Sequence, residues 1–125
     1  MSLKMKLYKE DILQHYKQPK NFGLISNPDF SSGEQNPSCG DSIAISGKIV
    51  DGRIDEIGFE GKGCALSIAM ASKLTEFVLE KKIHEIDLQE SLIAELLGIE
   101  LGPNRMMCGF LSINALKNAL NQAKV

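Results

Sequence analysis

Between residues 42 and 64 the hydrophobic period of the chain changes, and that change limits the folds it can adopt. Ile43 and Ile45, then Ile49 after a break at Gly47, alternate with smaller or polar residues. Asp51-Gly52 is a strong two-residue turn signal, and Ile54, Ile57 and Phe59 follow it. Period-two alternation puts apolar side chains on one face of a strand, so residues 42–60 are predicted to form a β-hairpin. From Cys64 to about Glu80 the apolar residues are Leu66, Met70, Leu74, Phe77 and Val78, spaced by threes and fours, which predicts a helix. A two-stranded ribbon is marginal by itself, so a third strand or helical cover is expected, and the segment before Cys39 is the candidate strand.

The remaining segments supply the cover. Leu7, Ile12, Leu13 and Tyr16 fit one face of a helix running from Leu7 to Lys17, ended by Pro19 and the turn-prone Asn21-Phe22-Gly23. Residues 24–41 hold Pro28, Gly33, Pro37 and Gly40 among serines and asparagines, and read as a long ordered loop that is expected to be both functional and mobile. A turn at His84–Asp87 leads to a helical piece over Leu88–Leu97, stopped by Gly98. Gly102-Pro103 breaks the chain before a last helix, Arg105–Ala123, with Phe110, Ile113, Leu116, Ala119 and Leu120 as its apolar set. Ala65, Ser67, Ala69, Ala71 and Ser72 are small enough for a neighbour to approach the helix after Cys64 closely. The expected class is α+β, a small antiparallel sheet of about three strands covered by helices. Residues 1–125 are expected to be one domain, with residues 1–6 as a flexible leader.

Charge is close to balanced, with 14 Lys and Arg against 16 Asp and Glu, so nothing favours nucleic acid, which demands concentrated positive charge. No apolar run approaches the roughly 20 residues of a membrane span. Three cysteines, an odd number, with no export signal before them argue against a disulfide framework and for the reducing cytoplasm. There the choices are inert core thiols, metal ligands or a nucleophile.

Each cysteine neighbours glycine: Cys39 in Pro37-Ser38-Cys39-Gly40-Asp41, Cys64 at the end of Gly61-Lys62-Gly63-Cys64, and Cys108 in Met107-Cys108-Gly109. Cys64 and Cys108 are expected at helix N-termini, where unpaired amide hydrogens favour a thiolate, with Lys62 and Arg105 as nearby cations or as plain surface residues. Asp41 either points at the same space as Cys39 or caps a local turn. Cys39, Cys64, Cys108 and Asp41 together make four donors, the number that a tetrahedral zinc ion or an iron–sulfur cluster takes. Three sulfurs and one harder oxygen hold a soft metal less firmly than four sulfurs, which suits a site that releases its cargo. Glycine amides at residues 40, 61 and 63 either donate to cluster sulfides or only supply turns. His15 and His84 lie away from every cysteine in sequence and are read as structural or solvated; Met106 and Met107 are read as packing residues.

With Pro37–Asp41, Gly61–Ser67 and Cys108-Gly109-Phe110-Leu111 in this order, the chain resembles the IscU/SufU/NifU-N-terminal family of iron–sulfur cluster assembly proteins, over nearly its whole length. The resemblance implies an IscU/SufE-like α+β fold with its three cysteines at one exposed end. It implies Cys39, Asp41, Cys64 and Cys108 as metal or cluster ligands, and a substitution at Asp41 that stabilises bound cluster. Sulfur would come from a cysteine desulfurase, with Cys108 the acceptor in scaffold members and Cys39 in the zinc-bound SufU branch. The IscU branch has histidine where this chain has Met107. It also has a chaperone-read Leu-Pro-Pro-Val-Lys segment where this chain has Leu101-Gly102-Pro103-Asn104-Arg105, so that chaperone is not carried over. SufU proteins share the Ser67–Ser72 pattern but carry an insertion between the second and third cysteines that this chain lacks.

The expected function is a scaffold, more a carrier than an enzyme, for assembly and transfer of a transient [2Fe–2S] cluster to apo-proteins. The alternative is a SufU-like zinc-dependent sulfurtransferase that accepts persulfide sulfur and activates a desulfurase. A purely structural zinc module stands third, and zinc is expected to enter the isolated protein under any of them.

Overall fold

The computed structural model describes residues 3–38 and 40–123. Three antiparallel strands form its sheet in chain order: β1 (Phe30–Gln35), β2 (Ser42–Val50) and β3 (Arg53–Lys62). The β2–β3 turn is Asp51-Gly52, both with positive φ (52° and 75°), the backbone that a tight two-residue hairpin turn requires. Pairing of Ile45 with Phe59 and Ile43 with Gly61 sets the register that places Ile43, Ile45 and Phe59 together on the covered face. Phe59 is fully buried, worth about 1.5–3 kcal/mol of transfer free energy for a side chain of its kind.

Among the described residues four α-helices build the layer over this sheet: α1 (Leu3–Lys17), α2 (Ala65–Val78), α3 (Ser91–Leu97) and α4 (Pro103–Gln122). Helix α4 packs on β1 and β2, α2 packs on β3 and α4, and α1 lies on α2. Met70, Leu74 and Val78 of α2 meet Ile113 and Leu116 of α4 and Ile93 and Leu97 of α3 in one core. The expected α+β class, with three strands under helices, is what the chain forms.

Several local expectations change. The third strand does come from the segment before Cys39, so of the stretch 24–41 read as a loop Phe30–Gln35 is strand instead, paired with β2 under α4. Helix α1 starts at Leu3 rather than Leu7, and of the expected apolar face only Ile12 is buried. Leu7, Leu13 and Tyr16 are exposed, and His15 takes their place in the interface with α2. Its Nδ1 lies 2.7 Å from Ser72 Oγ, which also accepts the Lys20 backbone N–H at 2.7 Å. The small residues of α2 allow this approach, as expected, but the contact is largely polar.

Asn21-Phe22-Gly23 does more than end α1. The Gly23 N–H donates to the Phe59 carbonyl at 2.7 Å and the Phe59 N–H to the Asn21 carbonyl at 3.0 Å, laying these residues along the edge of β3. Helix α3 begins at Ser91, three residues later than expected, and ends at Gly98, whose φ of 76° is the left-handed cap. Pro103 begins α4 instead of preceding it, since a proline in the first turn has no N–H to leave unpaired.

Candidate metal and sulfur site

One end of the sheet gathers the β1–β2 loop, the β3–α2 junction and the N-terminal part of α4. Asn36, nearly buried, closes the loop: its N–H donates to the Asp41 carbonyl and its carbonyl accepts the Gly40 N–H, both at 2.8 Å. Its Oδ1 accepts the Ser38 N–H at 3.1 Å. Gly40 takes a φ of 78°, and the chain re-enters β2 with the Asp41 side chain 95% buried at the sheet end (5% exposed).

Cys64 is the residue that caps α2, in an extended conformation (φ −70°, ψ 165°), and its carbonyl accepts the first helical bond from the Ile68 N–H at 3.3 Å. Its own N–H donates to Asp41 Oδ2 at 3.3 Å. Gly63, with φ 147°, lets the carboxylate lie against the backbone, since a Cβ there would stand 2.6 Å from Asp41 Oδ1. One turn into α2, the fully buried Ser67 hydroxyl donates to Asp41 Oδ2 at 2.7 Å. The Ser67 hydroxyl oxygen lies 3.5 Å from Cys64 Sγ and 3.4 Å from the Cys108 carbonyl oxygen. Asp41 thereby ties the β1–β2 loop to the first turn of α2 through its carboxylate.

Cys108 reaches this place from α4, five residues beyond Pro103, so it does not open its helix as expected. A carboxylate oxygen of Asp41, Cys64 Sγ and Cys108 Sγ all lie within 4.8 Å of one another. Cys64 is exposed and Cys108 half-buried. The Cys108 thiol is pushed up from 9.0 to about 11, first by burial, then by its hydrogen bond with Cys64 and the negative charge of Cys64 and Asp41; a hydrogen bond from Ser67 works the other way. That corrects the expectation of a ready thiolate at this position. Three groups that crowd negative charge together accept a cation in their midst, and two sulfurs with one oxygen are a donor set for zinc or iron. The residues present fit such a cargo.

Cys39, the remaining member of the expected set, lies outside the described residues. Arg105 and Lys62 are exposed: Arg105 lines a cleft with Met5 and Lys9 of α1, and Lys62 a groove with Phe22 and Glu60. His15 is spent on Ser72, and His84 is exposed beside Glu85. Met106 packs against the core while Met107 is 56% exposed. Ser67 and Asn36 are the residues that sequence reading did not assign to the site. Ser67 had a signal, the i, i+3 spacing from Cys64 that puts both on one helix face; Asn36 had none.

The model of the NifU-like N terminal domain matches residues 7–124 of this sequence. The chain belongs to that family. Among its NifU-like relatives, the iron–sulfur cluster assembly scaffold proteins IscU 1 and IscU 2 of Archaeoglobus fulgidus are each 36% identical over 115 residues, 91% of this chain and 74% of theirs. The IscU of Escherichia coli K12 is 34% identical, with 94% of each chain covered. The zinc-dependent sulfurtransferase SufU of Bacillus subtilis is 31% identical, covering 91% of this chain and 89% of its own. The crystal structure of FiSufU, a SUF-system protein of Fervidobacterium islandicum AW-1, superposes with a TM-score of 0.72 at 27% identity, over 92% of this chain and 97% of that one. A NifU-like protein from Brucella abortus shares the fold at a TM-score of 0.78 and 19% identity, over 98% and 97%.

Proposed function

We propose that this chain, working as one domain in the cytoplasm, is a scaffold that receives iron and sulfur, holds a [2Fe–2S] cluster as cargo and passes it to apo-proteins. The observation that carries this reading is the meeting of Asp41, Cys64 and Cys108 within 4.8 Å at an end of the sheet where Cys64 stays open to solvent. Cys39 is proposed as the fourth donor. Structural zinc sites are closed; a partly exposed one suits loading and release. Sulfur would arrive from a cysteine desulfurase as a persulfide: an acceptor thiolate, Cys108 or Cys39, attacks the outer sulfur and the donor cysteine leaves as its thiolate. Relatives named as IscU scaffolds support this reading. Among the described residues no helix is long and apolar enough to cross a membrane. Anaerobic incubation with ferrous iron, cysteine and a desulfurase is expected to give cluster absorbance that Cys64→Ser and Cys108→Ser abolish. A colourless wild-type protein under these conditions ends the proposal.

A second reading, a zinc-dependent sulfurtransferase, is favoured by one feature: His15 and His84 both stand apart from the two thiols, with the exposed Met107 before Cys108. It requires desulfurase turnover to fall when zinc is stripped.

A further inference from the structure

We infer that Ser67 is a positioning residue for bound metal, aiming the Asp41 carboxylate at the two sulfurs; the inference rests on the reading of Asp41, Cys64 and Cys108 as ligands. Ser67 has no exposed surface, and besides the Cys108 thiol its single hydroxyl hydrogen has two oxygen acceptors in range, Asp41 Oδ2 at 2.7 Å and the Cys108 carbonyl at 3.4 Å. The shorter contact is to the charged group, where hydrogen bonds are strongest, so the hydrogen belongs to Asp41. That leaves the lone pairs of the hydroxyl oxygen facing Cys64 Sγ at 3.5 Å.

The consequence is orientation. A carboxylate on a loop turns about two single bonds, but Oδ2 is held from α2 by two donors, the Ser67 hydroxyl and the Cys64 N–H. Gly63 closes the side next to Oδ1 with bare backbone. Asp41 is thereby fixed to the same first turn that carries Cys64, and the oxygen-to-sulfur spacing becomes a property of one helix end. A helix-capping role is a poorer account, because the hydroxyl bonds a side chain from another element and makes no cap to its own helix. Partners that orient metal-binding carboxylates are worth about 10–100-fold in metal affinity.

Cobalt(II) is the probe, because its thiolate charge-transfer and ligand-field bands report both affinity and donor set. Wild type, Ser67→Ala, Asp41→Ala and the double variant are titrated as metal-free full chains, with far-UV circular dichroism as the folding control. Ser67→Ala is expected to keep the wild-type dichroism and bind cobalt about tenfold or more weakly. Asp41→Ala should weaken binding too, and the double variant should bind no more than about twofold below Asp41→Ala, because Ser67 acts through Asp41. Wild-type affinity in Ser67→Ala, or losses that multiply in the double variant, would overturn the inference. Absence of cobalt–thiolate bands in the wild type would instead sink the ligand reading beneath it, as would an Asp41→Ala variant that binds like wild type.

Discussion

Cys108 and Cys64 differ by environment more than by chemistry. Cys64 is exposed at the head of α2, whereas Cys108 is half-buried and faces both another thiol and a carboxylate. Because its thiol is raised from 9.0 to about 11, the folded metal-free protein favours the neutral form. The stability this contributes is whole below about pH 9, where the unfolded thiol is also protonated, and is lost as pH rises through about 11. Urea midpoints of the metal-free protein are therefore expected to fall between pH 8.5 and 10.5, and Cys108→Ser should flatten part of that fall. An equal slope in the variant would contradict the assignment. At this scale the sequence was informative about which residues meet, since Asp41, Cys64 and Cys108 were all singled out from glycine-flanked motifs. It was uninformative about protonation, because burial and the spacing of two charged neighbours come from three separate elements.

Elements tell a different story. The β2–β3 hairpin was legible because alternation and Asp51-Gly52 are local signals, and α2 because its apolar residues recur at helical spacing. Strand β1 was harder: Phe30–Gln35 has serine, glycine and glutamate where a strand usually shows branched residues, and it forms by pairing with β2 under α4. The face of α1 was misjudged for a related reason. Leu7, Leu13 and Tyr16 look apolar in sequence, yet the helix is seated by Ile12, by His15 on Ser72 and by an ion pair of Asp11 with Lys73. Ser72→Ala would leave the His15 ring nitrogen and the Lys20 N–H without their shared hydroxyl. Each such loss costs about 1–3 kcal/mol, so a clearly lower urea midpoint is expected, with cobalt binding at the metal site within about twofold of wild type because Ser72 contacts none of its donors. Unchanged stability would mean that α1 is held by its apolar contacts alone.

The molecule as a whole separates its work by position. The core of Phe59, Met70, Leu74, Ile113 and Leu116 is dry, while loop, helix cap and α4 converge at one wet end of the sheet. Asn36 fixes the loop, Gly63 admits the carboxylate and Ser67 holds it, so the donors are set by backbone geometry rather than by the ion they are to bind. The central claim is that Cys39, Asp41, Cys64 and Cys108 hold one metal together. Zinc K-edge X-ray absorption on the zinc-loaded protein reads that donor set directly. Three sulfurs at about 2.3 Å and one oxygen at about 2.0–2.2 Å are expected; a first shell of oxygen and nitrogen alone would contradict a shared site.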